Sequence, residues 1–144
     1  MVSGPTVLLV DDEAEFVEVL AERLESRGLR VRTADSGEAA LRLAHELPFD
    51  AILLDLAMPG LDGIETLQRL RESNPDVQVI LLTGHATVDT GVQAMKLGAV
   101  DVLEKPADLR RLLEKIDAAS SAKHELAEQR LEEQLSQILN RRGW

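Results

Sequence analysis

Phe49-Asp50-Ala51-Ile52-Leu53-Leu54-Asp55-Leu56-Ala57-Met58-Pro59-Gly60 is the stretch whose reading decides the fold. Ala51 to Leu54 is a continuous apolar run with no polar residue between its members. A run of that kind fits a strand covered on both faces, as in a parallel sheet, because a half-exposed strand alternates apolar and polar residues. It ends on the carboxylate of Asp55, and Met58-Pro59-Gly60 then turns the chain: proline presets one dihedral and glycine tolerates the next. Asp55 therefore belongs at the carboxyl end of a central strand, the edge where open α/β sheets carry their sites. An Asp before a loop ordinarily does no more than end a strand. The residues that close the other strands argue for more than that here.

Upstream, Thr6-Val7-Leu8-Leu9-Val10 is a second apolar, β-branched run, and it too meets carboxylates, Asp11, Asp12 and Glu13. Phe16, Val17, Leu20 and Leu24 recur at helical spacing between Glu13 and Arg27, with Gly28 as the stop. Leu29 to Thr33 alternates, which predicts a strand nearer an edge. Asp35-Ser36-Gly37-Glu38 offers capping chemistry, with Asp35 three residues ahead of Glu38, for a helix through Ala40, Leu41 and Ala44 that ends before Pro48. Downstream of the quoted stretch, Ile64, Leu67 and Leu70 predict a helix ending near Asn74-Pro75. Val77 to Leu82 is the fourth strand, terminated by Thr83-Gly84. Val88, Val92 and Met95 mark a helix closed by Gly98, and Met58 and Met95 read as packing. Val100 to Leu103 is a short fifth strand ahead of Glu104-Lys105-Pro106, and a helix follows from about Asp108. Five alternations of strand and helix with short connections predict an α/β fold: a parallel sheet with helices on both faces.

Composition narrows the function. Hydrophobic residues make up 44% of the 144, so a proper core can form. With no Cys there is neither a disulfide framework nor thiolate chemistry. No apolar run is long enough to span a membrane, and Met1-Val2-Ser3-Gly4-Pro5 lacks the form of a signal peptide, so the expectation is a soluble, cytoplasmic protein. A formal net charge of −10 repels nucleic acid, and Phe16, Phe49 and Trp144 are too few and scattered to stack bases.

Four strand ends carry polar groups: Asp11 and Asp12, Asp55, Thr83, and Lys105. In a parallel sheet these ends share one rim, so the residues can converge. Close carboxylates repel one another unless a cation intervenes, and an all-oxygen acidic cluster suits Mg²⁺. A hydroxyl and an ammonium beside it suit a phosphoryl group. The set is what is needed to place a phosphoryl group on a carboxylate nucleophile.

Asp11-Asp12, Asp55 with Met58-Pro59-Gly60, Thr83 and Lys105-Pro106, in this order and at these spacings, resemble the receiver domain of two-component response regulators across residues 5–119. The resemblance implies a flavodoxin-like, doubly wound five-stranded sheet in the order 2-1-3-4-5. It implies Asp55 as phosphoacceptor, Thr83 and Lys105 on the phosphoryl oxygens, and Mg²⁺ held by Asp11, Asp12, Asp55 and the backbone carbonyl of Ala57. It also implies a sensor histidine kinase or histidine phosphotransfer protein as donor, and a face from Thr87 to about Ile116 that phosphorylation remodels for a downstream protein partner. In that reading the chain is no enzyme beyond its own phosphorylation and dephosphorylation.

Two positions depart from the family pattern. Val102 stands where the family often has an aromatic whose rotamer follows the Thr; valine cannot swing a ring, so either the switch runs through backbone shifts alone or its coupling is weaker. Ala57 cannot orient water, which predicts a long-lived phosphorylated state. His85, two past Thr83, reads either as a water-positioning group or as an exposed loop side chain.

Residues 120–144 are rich in helix formers, and the expectation is a C-terminal helical extension that is too short to be a separate output domain. Leu131, Leu135 and Ile138 make a stripe with Leu126 out of register, and Lys123 and Arg130 interrupt the seam begun by Leu109, Leu112, Ile116 and Ala119. Two pictures fit: an extended fifth helix with partial homodimer pairing through it and the fourth-to-fifth-helix face, or a separate helix docked on a partner. A scaffold or dimerisation module that works without phosphorylation is the alternative function. A small-molecule aspartyl-phosphate hydrolase is disfavoured because Ala57 occupies the place of its second Asp.

Overall fold

The computed structural model describes residues 4–58, 62–84 and 87–143. The Pro59-Gly60 turn, His85 and Trp144 lie outside the described residues. Five strands alternate with five helices: β1 Thr6–Val10, α1 Ala14–Ser26, β2 Arg30–Ala34, α2 Gly37–Glu46, β3 Ala51–Leu54, α3 Gly63–Ser73, β4 Val79–Thr83, α4 Val88–Lys96, β5 Asp101–Glu104 and α5 Leu109–Arg141. All pairings are parallel and the order is β2-β1-β3-β4-β5, as the resemblance implied. The alternating strand β2 is an edge strand, and the unbroken apolar runs β1, β3 and β4 occupy the middle.

Pleating sends successive side chains to opposite faces, so the sheet divides the core in two. Leu8, Val10, Ile52, Leu54, Val79 and Leu81 pack beneath Ala40 of α2, Leu67 and Leu70 of α3 and Ala94 of α4. Val7, Leu9, Leu53, Ile80 and Leu82 pack against Leu24 of α1 and Leu112, Ile116 and Ala119 of α5. Gly28 and Gly98 close α1 and α4 at φ of 90° and 99°, a region that a side chain disfavours. Among the described residues no helix is long and apolar enough to cross a membrane.

Two readings are corrected. The cap of α2 is Ser36, not Asp35: its hydroxyl accepts from the Ala39 N–H. The helix marked by Val88, Val92 and Met95 exists, but Val88 is 83% exposed and Met95 48%, so Met95 is not packing. The side of α4 that meets the sheet is carried by Ala94 instead.

The tail also differs from expectation. α5 is one unbroken helix of 33 residues that crosses the expected boundary at 119/120, which removes the separate-helix picture. The seam begun by Leu112, Ile116 and Ala119 is spent on the chain's own core, each being 1% exposed. The residues that interrupt it hold the helix to the base of the domain. Lys123 Nζ lies 3.6 Å from Asp50, just ahead of β3, and Arg130 pairs in bidentate fashion with Asp76, just ahead of β4. Leu126, half-buried, shares that domain-facing side.

Candidate functional site

The register sets up the site. Val10 pairs with Leu54, so Asp11 and Asp55 leave adjacent strands side by side. The Asp55 N–H donates to the Val10 carbonyl and the Asp11 N–H to the Ala34 carbonyl, which fixes both backbones. Thr83 is the last residue of β4, and its carbonyl accepts from the Lys105 N–H at 2.8 Å, so the fifth strand delivers Lys105 to the same rim.

The side chains converge. Asp11, Asp12 and Asp55 each present an oxygen, and these oxygens all lie within 4.8 Å of one another. Asp11, Asp55 and Thr83 are buried, while Asp12 faces solvent. The Lys105 ammonium donates to Asp11 Oδ2 at 2.5 Å and to Glu13 Oε1 at 3.2 Å, and it sits 3.7 Å from Asp55 Oδ2. The Ala57 N–H donates to Asp55 Oδ1 at 3.3 Å. The sequence-predicted residues Asp11, Asp12, Asp55, Ala57, Thr83 and Lys105 are thus all gathered at one rim.

Electrostatics follow from this crowding. Burial, and next the charge of Asp11, hold the Asp55 carboxyl above its ordinary value; the Ala57 N–H and Lys105 pull the other way without reversing it. Burial pulls Lys105 down, but its hydrogen bond and ion pair with Asp11 outweigh that and raise it. The ionised Asp55 is therefore held uphill, and any added cation at the rim would relieve it. Three clustered carboxylate oxygens are a donor set of the kind that hard, oxygen-loving Mg²⁺ takes, so the residues fit that ion.

Three contributors escaped the sequence reading. Glu13 is a second carboxylate on Lys105, and the Phe16 ring lies 4.3 Å beneath its ammonium. Phe16 showed only helical spacing, which is the mark of a core residue. Gly63 brings the start of α3 against the site strand: a Cβ there would stand 2.4 Å from Leu56 Cα and 2.5 Å from the Asp55 carbonyl oxygen. Its signal was present in the Gly before a helical pattern, but a loop explained it equally well.

The fold and the rim define a class: doubly wound α/β proteins with an acidic pocket, a hydroxyl and an ammonium at the carboxyl edge of the sheet. Residues 7–117 match the family described as the response regulator receiver domain, and the chain belongs to that family. It is 41% identical over 106 residues to the transcriptional regulatory protein ZraR of Klebsiella oxytoca. That match covers 74% of this chain and 24% of the relative, so the chain spans about a quarter of that protein's length. A crystal structure of a receiver domain protein from Clostridium thermocellum superposes with a TM-score of 0.81 at 34% identity, over 85% of this chain and 99% of that one. A Burkholderia pseudomallei response regulator, solved with a phosphorylated aspartic acid, calcium ion and citrate, superposes with a TM-score of 0.74 at 32% identity, over 97% and 86%.

Proposed function

We propose that the chain is a phosphorylation-switched signalling module that receives a phosphoryl group on Asp55. The observation that carries the reading is Lys105: an ammonium 94 residues from Asp11 in sequence lies against it and 3.7 Å from Asp55. A sensor histidine kinase or a histidine phosphotransfer protein is the donor, and the cytoplasm the compartment. An Asp55 oxygen forms the new bond to phosphorus as the donor's P–N bond breaks, and the electron pair stays with the leaving imidazole. Lys105 and the Thr83 hydroxyl donate hydrogen bonds to the phosphoryl oxygens. Asp11, Asp12, Asp55 and the Ala57 carbonyl would hold Mg²⁺, which when bound offsets charge on those oxygens. The phosphorylated aspartic acid in the Burkholderia relative supports the same role for Asp55.

A group of about −2 charge beside Thr83 and Lys105 favours one of two packings of the face from Thr87 to Ile116. The exposed Val88, Val92 and Met95 supply the apolar surface for a downstream partner there. With Val102 on β5, that coupling runs through backbone shifts rather than a swinging ring. Acetyl phosphate with Mg²⁺ should add about 80 Da to the chain and nothing to Asp55→Asn. Equal mass gain in both proteins, or none in either, would overturn the assignment. Amide shifts between residues 84 and 106 should move with a phosphate mimic; if they stay still, the switch is absent.

A further inference from the structure

The α5 extension carries a second surface that the receiver reading does not use. Lys123, Leu126 and Arg130 face the domain base. Leu135 lies nine residues from Leu126, half a turn around the helix, so its face points away from the domain. On that outer face Leu131 is 66% exposed, Leu135 55% and Ile138 42%, with Leu139 beside them. Glu128 and Arg142, both exposed, stand seven residues either side of Leu135, within about 20° of the same face. The face therefore reads Glu128, Leu131, Leu135, Ile138 with Leu139, and then Arg142 at the cap just past the end of α5, along about 21 Å in all.

Reversed about Leu135, this pattern matches itself at Glu128 with Arg142 and at Leu131 with Leu139, while Ile138 falls opposite the partner's Glu132. We propose that α5 pairs with α5 of a second copy of this chain in antiparallel fashion, with the two-fold axis at Leu135. Leu131 then meets the partner's Leu139, and Glu128 meets the partner's Arg142 at both ends. A parallel pair would set Glu128 against Glu128 and Arg142 against Arg142. Charge complementarity thus selects both the occupant and its direction. The antiparallel arrangement also sends the two receiver domains to opposite ends, and the face it uses is turned away from the domain body. So short a seam forms a reversible, concentration-dependent dimer.

Charge reversal in the full chain tests the direction. Glu128→Arg and Arg142→Glu should each weaken the dimer, measured by sedimentation equilibrium, by roughly tenfold. The double reversal should restore it, because Arg then faces Glu again; in a parallel pair it would restore nothing. The chain has no native Cys, so cross-linking is clean. Leu135→Cys should couple to itself under mild oxidation. Leu131→Cys should not couple to itself but should couple when mixed with Leu139→Cys. A monomer mass that holds up to about 1 mM protein, self-coupling of Leu131→Cys, or a double reversal that stays weak would each overturn the proposal. Glu128, Leu131, Leu135 and Arg142 are exposed and Leu139 is half-buried, so circular dichroism should show every variant folded, and Asp55→Asn should dimerise as the parent does. Failure here leaves the phosphoacceptor reading untouched.

Discussion

Replacing Lys105 by Met isolates the ion network at the rim. Met keeps the length of the stem and can stay against the Phe16 ring as a sulfur-aromatic contact, so the loss is mainly charge. At an effective dielectric near 20, unit charges 3.7 Å apart attract by roughly 4.5 kcal/mol, an upper bound for the Lys105 to Asp55 term. Asp11 is nearer still, and its side chain is 2% exposed. Breaking such a pair from one side leaves a buried charge without compensation, which costs ~3–5 kcal/mol in a dry interior. The Lys105 side chain keeps 12% of its exposure and its partner Glu13 keeps 65%, so water reaches the rim and a loss of ~2–3 kcal/mol is expected. For a chain of this size that lowers Tm by roughly 6–12 °C. Thermal unfolding by circular dichroism at pH 7 in EDTA measures it. Mg²⁺ should then recover more stability in the variant than in the parent, since the cation replaces the missing positive charge. Adding Asp11→Asn to Lys105→Met should also recover stability, because the stranded charge is gone. A metal-free Lys105→Met protein within about 0.5 kcal/mol of the parent would refute the claim that this ammonium holds the acidic cluster together.

Gly63→Ala should cost ~2–4 kcal/mol in urea unfolding, because the new Cβ meets backbone at Leu56 and Asp55 rather than a flexible side chain; a change under 1 kcal/mol would mean that the start of α3 yields freely. Arg130 holds the Asp76 carboxyl below its ordinary value of 3.8. A depressed carboxyl contributes stability that is present above the unfolded value and lost as pH falls through the folded one, so the pair strengthens α5 docking at neutral pH and lets go in acid. Arg130→Gln should raise the Asp76 titration midpoint seen by NMR, and an unmoved midpoint would break the link. Ala57→Asn should speed dephosphorylation of Asp55 by placing a polar group beside it, and an unchanged or slower rate would remove Ala57 as the cause of a long-lived state.

Much of the molecule was legible in the chain because the relevant signals are local. A run such as Ala51 to Leu54 can be satisfied only by cover on both faces, and strand-end residues such as Asp11, Asp55 and Lys105 follow directly from where such runs stop. Periodicity alone set a parallel sheet; its 2-1-3-4-5 order entered through family resemblance, since nothing in the spacing of one strand names its neighbour. The spatial structure decided what depends on partners far away in sequence. Val88, Val92 and Met95 have the spacing of a buried stripe, yet α4 turns Ala94 inward against the core and leaves those three exposed. Lys123 and Arg130 look like breaks in a seam until the base of the domain presents Asp50 and Asp76 to them, the latter 54 residues away. Lys105 finds Asp11 across 94 residues only because the crossovers return every strand to the same rim. Local sequence chooses the elements, since sterics and burial act residue by residue; pairing of charges and choice of helix face wait for the packed layers, where distance in space replaces distance along the chain.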